Sequence, residues 1–247
     1  MALNFKASKS LLDLAQAMAE GAFDLHLHSY CSDGTQSPAE VLQEALERHL
    51  SLIALTDHDT MEGVGTIFEV QQKLKKCGVD VPTIIPGVEI SSAFTLSEEE
   101  KKTHPKGEKG WIEVHILAYY PDGEYAGIED FLDVQQMTRH KRNRDLCERL
   151  VDLGYDISHD ELRKKFPHGI LGRPHIAQIL VEKDYFASIS QAFNELLGEG
   201  KPGYLPRELP SSEEVLERIV QSDGIPVLAH PYHYDWLEPE DIRRHLR

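Results

Sequence analysis

The sequence has few cysteines, a deficit of basic residues and no long apolar run, and each shortage excludes a class of protein. Its three cysteines, Cys31, Cys77 and Cys147, are widely spaced and form no CxxC motif, which excludes a disulfide framework and a zinc ribbon. Lysine and arginine number 26 against 42 acidic residues, a formal charge of −16. We therefore expect no stable binding of duplex DNA, because the chain has no net positive field.

The chain also lacks the apolar segments of a membrane or secreted protein. No apolar segment approaches the length of a membrane span. Asp13 and Glu20 interrupt what would be the apolar core of a signal peptide near the N-terminus. Residues 1–22 are instead predicted to form a helical extension. We expect a cytoplasmic protein with no membrane partner.

Histidine, by contrast, is abundant, and 13 residues of this type could bind cations attracted by the acidic chain. The stretch DLHLHSYCSDG begins at Asp24 and alternates like a strand, so that Asp24, His26 and His28 share one face. Two imidazoles about 7 Å apart on a strand can converge on one metal ion. The alternative interpretation of this stretch alone is the wet face of a surface strand.

The wider pattern of strands and helices favours the metal site. Strands are predicted at 23–28, 52–55, 83–85, 112–119 and 225–229, with helices between them, which indicates a parallel sheet or barrel. Four of these strands have a histidine or glutamate at or near their C-terminal end: His28, His58, Glu89 and His230. Functional sites in α/β barrels assemble at that end. Glu89 follows Pro86-Gly87, which we interpret as a tight turn. Ligands of this type without thiolate suit Mn²⁺, Zn²⁺ or Fe²⁺.

The motifs, taken in order, resemble those of the polymerase-and-histidinol-phosphatase (PHP) family of metal-dependent phosphoesterases. The motifs are DLHLHSYCSDG, ALTDHDT, IPGVEIS, the strand with His115, and VLAHP. The helical segment with GRPHIA and GKPGYLP resembles one branch, the nucleoside 3′,5′-bisphosphate phosphatases and 5′-to-3′ exoribonucleases. The resemblance implies a distorted seven-stranded (β/α) barrel with a helical insertion. The expected divisions are an extension at 1–22, the first part of the barrel at 23–122, the insertion at 123–206 and the second part of the barrel at 207–247.

The resemblance also implies two or three divalent ions and the residues that hold them. His26 and His28 would bind a first ion, and Glu89 would bridge it to a second ion held by His115 and His230. Asp33 and His58 would belong to a third ion, while Asp57 would hold the ligands in place. Metal-activated hydroxide would then attack phosphorus.

The expected substrate is a phosphorylated nucleotide or a short RNA, recognised by the helical insertion. The candidate residues are Arg142, Arg144, Arg173 and His175, because guanidinium groups match the geometry of phosphate. For the arginines of the long helix, an ordinary solvated face is an equally good interpretation.

The sequence departs from the family pattern at its end. The family has two further strands, and too few residues follow His230 for another β/α unit of about 30 residues. We therefore expect the barrel to lack its last two strands. One alternative function is a catalytically impaired module that binds metal or nucleotide. Another is a histidinol-phosphate phosphatase, against which the helical insertion argues.

Overall fold

A computed structural model describes residues 18, 21–104 and 107–234, and its five strands follow the predicted order. The strands are β1 Ala22–Leu27, β2 Leu50–Leu55, β3 Thr83–Thr95, β4 Trp111–Tyr119 and β5 Ile225–Leu228. They form one sheet in the order β1-β2-β3-β4-β5. The predicted α/β fold with a half-barrel of five strands is confirmed. Most of the predicted N-terminal helix, and residues 235–247, lie outside the described residues.

Two helices cover the first strands. Helix α1, Pro38–Glu47, begins at a capping box: the Ser37 hydroxyl accepts from the Glu40 amide, and the Glu40 carboxylate accepts from the Ser37 amide. Helix α2, Glu62–Lys76, lies beside it. The apolar stripes of both helices bury the outward side chains of β2. This packing fixes where β1 and β2 end.

The remaining helices lie between β3 and β5. They are α3 Glu100–Thr103, α4 Ala126–Asp152, α5 His159–Lys165, α6 Arg173–Glu182, α7 Ile189–Ala192 and α8 Ser212–Gln221. Helix α7 is followed directly by a π-helical turn, Phe193–Leu197. The first half of α4 packs Ile128 and Leu132 over the sheet, and its second half packs Leu146 and Leu150 against α5–α7. The middle of α4 is therefore held beside the sheet edge that carries the predicted ligands.

The prediction of a parallel sheet is wrong for its second half. Strands β1, β2 and β3 are parallel, but β4 runs antiparallel to both β3 and β5. A parallel connection needs a crossover, which is usually a helix. In its described residues, the connection from β3 to β4 contains only the one-turn helix α3 and a short 3₁₀ turn, Gly107–Lys109, and the chain turns back alongside β3.

The predicted turn at Pro86-Gly87 is also wrong, because both residues lie inside the 13-residue strand β3. Pro86 is the last partner of β2, and from Gly87 onward β3 pairs with β4. Proline has no amide hydrogen, and here it sits where the strand changes partner. Glu89 therefore lies inside β3, paired with Leu117 of β4, rather than at the end of a strand.

Candidate metal centre

The carboxylate of Glu89 lies at the centre of the site and is 1% exposed. Its Oε2 is 3.1 Å from Nε2 of His26, 3.1 Å from Nε2 of His28 and 3.2 Å from Nδ1 of His58. His26 belongs to β1, His28 follows it, and His58 follows β2. The ends of two parallel strands thus bring three imidazoles to one carboxylate oxygen.

The other oxygen of Glu89 contacts two more histidines. Oε1 is 2.9 Å from Nδ1 of His115 and 2.9 Å from Nε2 of His230. His115 lies in the middle of β4, paired with Ser91, so it shares a face of the sheet with Glu89. His230 follows β5 with a φ of 27°, a backbone region that side-chain-bearing residues seldom adopt.

A second carboxylate extends the cluster toward solvent. Oδ1 of Asp33 is 3.5 Å from Nδ1 of His28, and Oδ2 is 3.5 Å from Nε2 of His58. Ligand atoms within 4.8 Å of one another form three groups: His26, His28 and Glu89; His28, Asp33 and His58; and His58, Glu89 and His115. All seven residues that the sequence suggested as ligands therefore lie in one neighbourhood.

This donor set fits divalent cations better than it fits hydrogen bonding alone. A carboxylate oxygen has two lone pairs, yet Oε2 of Glu89 faces three imidazole nitrogens. Nδ1 of His58 is buried without a hydrogen-bond partner, although it lies close to that oxygen. Cations between the rings and the carboxylate would satisfy all of these atoms. The donors are nitrogen and oxygen, as Mn²⁺, Zn²⁺ and Fe²⁺ prefer, which supports the use of divalent metal.

The cluster also perturbs its own protonation. Burial by itself would raise the pKa of Glu89, but hydrogen bonds from His115, His26 and His28 hold it well below its usual range. Burial would lower the pKa of His115, yet hydrogen bonds to Glu113 and Glu89 raise it to about 9. Metals bind the neutral imidazole, so a metal ion and a proton compete for the ring of His115.

Asp57 holds the loop after β1 rather than facing the cluster. It is 1% exposed. Its Oδ1 accepts 2.7 Å hydrogen bonds from the Ser29 amide and the Ser32 hydroxyl, and its Oδ2 accepts one from the Ser29 hydroxyl. That loop carries His28 on one side and Asp33 on the other. Asp57 is therefore placed to fix the separation of these two side chains.

A cavity of about 390 Å³ opens beside the cluster, within the range of small-molecule sites. At one end it is lined by Asp33, His58, His115 and His230. The rest of its wall includes four arginines, which we call the cavity arginines: Arg139, Arg142, Arg173 and Arg207. Although the chain is acidic, the space next to the cluster is therefore rich in positive charge.

Two of the cavity arginines are fixed by an aspartate that the sequence analysis missed. Asp59 is fully buried, has a φ of 54°, and accepts hydrogen bonds from Arg139 and from Arg207 Nη1, the latter at 2.8 Å. Burial alone would raise the pKa of Asp59, but the two guanidinium groups hold it well below its usual range. The sequence feature that could have indicated Asp59 is its position directly after His58 in the motif TDHDT. Nothing local in the sequence pointed to Arg207.

Among the described residues, the other two cavity arginines have no carboxylate within ion-pair distance. Arg142 is 8% exposed, and its Nε has no hydrogen-bond partner. Burial, followed by repulsion from Arg139 and Arg173, lowers the pKa of Arg142 to about 9. Arg173 lies over the rings of Tyr204 and Phe193, at 5.5 and 5.9 Å from their centroids. These two guanidinium groups are the cations that remain to bind an anion.

Two suggested substrate residues lie elsewhere. Arg144 is exposed on α4 and does not line the cavity. His175 is buried at the start of α6, where its Nδ1 accepts a 3.0 Å hydrogen bond from the Gly172 amide. It therefore caps its own helix. Helical geometry explains the difference for Arg144, because residues two apart on a helix point to different sides.

Comparison with known proteins identifies the family. The model of the PHP domain matches residues 24–221. The chain belongs to the PHP domain family. The family predicted from the motifs is confirmed.

Several PHP relatives are similar over most of this chain. A 5′-3′ exoribonuclease from Salmonella typhimurium is 30% identical over 220 residues, covering 87% of this chain and 69% of the relative. A 3′,5′-nucleoside bisphosphate phosphatase from Chromobacterium violaceum is 29% identical, covering 86% and 67%. These are the activities of those proteins.

Solved structures have the same fold. A protein assigned as a metal-dependent phosphoesterase from Bifidobacterium adolescentis has a TM-score of 0.70 at 26% identity, covering 85% of this chain and 67% of the other. An amidohydrolase from Chromobacterium violaceum, with bound sulfate and no metal, has a TM-score of 0.71 at 28% identity, covering 91% and 72%. Among the described residues of this PHP domain, no helix is long and apolar enough to cross a membrane.

The position of Asp57 predicts a loss of metal affinity when it is changed. Asp57→Asn replaces one of the two carboxylate oxygens that accept hydrogen bonds from the loop carrying His28 and Asp33. We expect Mn²⁺ binding by titration calorimetry to weaken about 10- to 100-fold, the usual effect of losing a group that orients ligands. The exposed Asp145→Asn on α4 serves as the control. Equal affinities in both variants would contradict this role.

The buried contacts of Asp59 predict a loss of stability. Asp59→Asn leaves Arg139 and Arg207 in the wall without their carboxylate. We expect the free energy of unfolding in urea to fall by about 3–5 kcal/mol, as when one partner of a buried ion pair is removed. Asp145→Asn should change it by less than about 0.5 kcal/mol, as is usual at the surface. If the two variants unfold at the same urea concentration, the contact of Asp59 with the arginines is not a structural one.

Proposed function

We propose that this protein is a metal-dependent phosphoesterase that acts on phosphorylated nucleotides. Its substrates would be a nucleoside 3′,5′-bisphosphate, from which it removes the 3′-phosphate, or the 5′ end of a short RNA. One observation carries the proposal: four of the seven candidate metal ligands, Asp33, His58, His115 and His230, line the same cavity as the four cavity arginines. The names of the similar proteins, an exoribonuclease and a bisphosphate phosphatase, agree with a phosphoric ester hydrolase.

The ligands divide into groups suited to two or three ions of Mn²⁺, Zn²⁺ or Fe²⁺. His26, His28 and Glu89 form one group, and Glu89 offers its second oxygen to His115 and His230. Asp33 and His58 belong to another group. When bound, such ions supply Lewis-acid polarisation of a phosphoryl oxygen and lower the pKa of water. The protein's part is to orient the rings, which the strand ends and Asp57 support.

Two of the cavity arginines, Arg142 and Arg173, would bind and orient the phosphate groups. Arg142 and Arg173 have no carboxylate within ion-pair distance among the described residues, so their guanidinium groups are available to phosphate oxygens. A phosphate would also relieve the repulsion that lowers the pKa of Arg142. Fixed positive charge beside the reacting phosphoryl group stabilises the negative charge that its oxygens carry in the transition state.

The insertion at 123–206 would then be the part that recognises the substrate. It contributes Arg139, Arg142 and Arg173 to the cavity, and Tyr204 adds an aromatic ring to the same wall. Nucleic-acid bases stack on rings of this kind. The barrel strands provide the reactive end, and the insertion provides the end that holds the rest of the nucleotide.

The proposed activity predicts that His28 is essential. The wild-type protein with Mn²⁺ should release phosphate from adenosine 3′,5′-bisphosphate, and His28→Ala should abolish release because His28 contacts both Glu89 and Asp33. The control is His49→Asn, an exposed histidine after α1 whose positive φ asparagine tolerates. Phosphate release is measured in parallel with histidinol phosphate, and release of nucleoside 5′-monophosphate is measured with a 5′-phosphorylated oligoribonucleotide.

The assay separates the alternatives. Faster release from histidinol phosphate than from either nucleotide would contradict the proposed substrate class. If protein with a confirmed metal content releases neither phosphate from the monoesters nor mononucleotide from the RNA, the protein is a module that binds without turnover.

We expect removal of the Arg142 guanidinium group to lower the catalytic efficiency. Arg142→Gln should lower kcat/KM for the bisphosphate about 10- to 100-fold, the value of a charged hydrogen bond. Arg142→Lys should recover part of it, because the charge returns without the planar fork. Lys164→Gln, an exposed change on α5, should leave kcat/KM within twofold. A deficit in Arg142→Gln no larger than that of Lys164→Gln would remove Arg142 from substrate binding.

A further inference from the structure

Arg144, which does not reach the cavity, belongs to a second group of basic residues on the outer side of the insertion. His140 and Arg144 lie one turn apart on α4, and His159 and Arg163 lie one turn apart on α5. Nη2 of Arg163 is 3.4 Å from Nδ1 of His140, so the two pairs face each other. We call these four residues the outer basic patch.

The patch has an excess of positive charge that the protein does not neutralise. In the part of the chain that the structure describes, neither Arg144 nor Arg163 has a carboxylate within ion-pair distance. Burial, then Arg163, lowers the pKa of His140, and burial, then Arg144 and Arg163, lowers that of His159. Asp160 is the one acid that opposes this effect on His159. An anion held here would offset the repulsion.

Direct contacts join the patch to the mouth of the cavity. Nη1 of Arg163 donates a 3.0 Å hydrogen bond to the carbonyl of Gly169. Gly169 has a φ of 69° and lies so close to the backbone of Cys31 that a Cβ would be 2.4 Å from it. The next residue, Ile170, donates to the carbonyl of Cys31 at 2.8 Å and lines the cavity together with Asp33. One loop therefore separates the patch from the metal centre.

Two exposed aromatic rings stand on that connection. Tyr30 is 38% exposed, His168 is exposed, and their ring centroids are 5.5 Å apart. Tyr30 is three residues before Asp33, and His168 immediately precedes Gly169. Basic groups that follow a backbone, combined with aromatic rings on which bases stack, are the features of surfaces that bind single strands.

We propose that the outer basic patch and the rings of Tyr30 and His168 form a track for a single-stranded nucleic acid whose terminal nucleotide occupies the cavity. The inference rests on the proposed function and narrows it, because a mononucleotide would fill the cavity without using the track. Arg144 and Arg163 would bind phosphodiester groups beyond the reacting end, while Tyr30 and His168 would stack on bases between the patch and the cavity.

Binding measurements test the track without depending on turnover. The metal-loaded protein is titrated with a fluorescent, phosphorothioate-linked single-stranded RNA, and separately with DNA of the same sequence and with adenosine 3′,5′-bisphosphate. Arg144→Gln should weaken RNA binding about threefold to tenfold and reduce the slope of log affinity against log salt by about 0.7, the value for one phosphate contact on a single strand. The affinity for the bisphosphate should change much less.

Tyr30→Ala tests the stacking part in the same way. It should weaken RNA binding about fivefold or more, since one stacked base contributes about 1–3 kcal/mol. Lys73→Gln, which removes an exposed charge from α2, is the control and should match the wild type. A similar loss with DNA would show that the track binds either strand, and a loss with RNA alone would show that it prefers ribose.

Two results would overturn the track. The first is that Arg144→Gln and Tyr30→Ala bind RNA with the same affinity as Lys73→Gln. The second is that these two variants lose as much affinity for the bisphosphate as they lose for RNA. If both variants lose RNA affinity while the wild type releases neither phosphate from the bisphosphate nor mononucleotide from unmodified RNA, the track stands and the proposed hydrolysis does not.

Discussion

The site depends on the burial of one negative charge, the carboxylate of Glu89. An ionised carboxylate removed from water is costly unless cations or donors surround it. Here the ends of β1 and β2, the middle of β4 and the segment that follows β5 each bring an imidazole to it. Strand β3 must continue past its pairing with β2 to hold Glu89 in this position. The mixed sheet is therefore the arrangement that makes one carboxylate reachable from four strands.

The sequence predicted the ligands better than it predicted the sheet. His28, His58 and His230 follow apolar runs that end where a strand ends, so their convergence could be derived from chain order alone. Alternation and apolarity carry no information on strand direction, so the antiparallel β4 could not be foreseen. For the same reason His115, in the middle of a strand, was suggested only by the family resemblance. Pro86-Gly87 has the composition of a turn, and only its pairing with two different strands shows otherwise.

The arginines illustrate a different limit. Arg139 and Arg142 are three residues apart on α4 and share a face, while Arg144 falls on another, and helical periodicity alone gives that difference. Which face meets the cavity depends on how α4 packs, with its first half on the sheet and its second half on α5–α7. The contact between Asp59 and Arg207 joins residues far apart in sequence. No local pattern predicts such a pair.

The distribution of charge connects these features to the proposed chemistry. A chain with a formal charge of −16 repels phosphate at long range. In the proposed function, bound divalent ions together with Arg142 and Arg173 would make the potential positive inside the cavity. The outer basic patch would make it positive along the path by which a nucleic acid reaches the cavity. Asp59 is needed within this arrangement because four unpaired guanidinium groups in one wall would repel one another. Asp59 pairs with Arg139 and Arg207 and so fixes these two guanidinium groups in the wall. Among the described residues, Arg142 and Arg173 have no carboxylate within ion-pair distance, so in the proposed function they would be the two that bind phosphate.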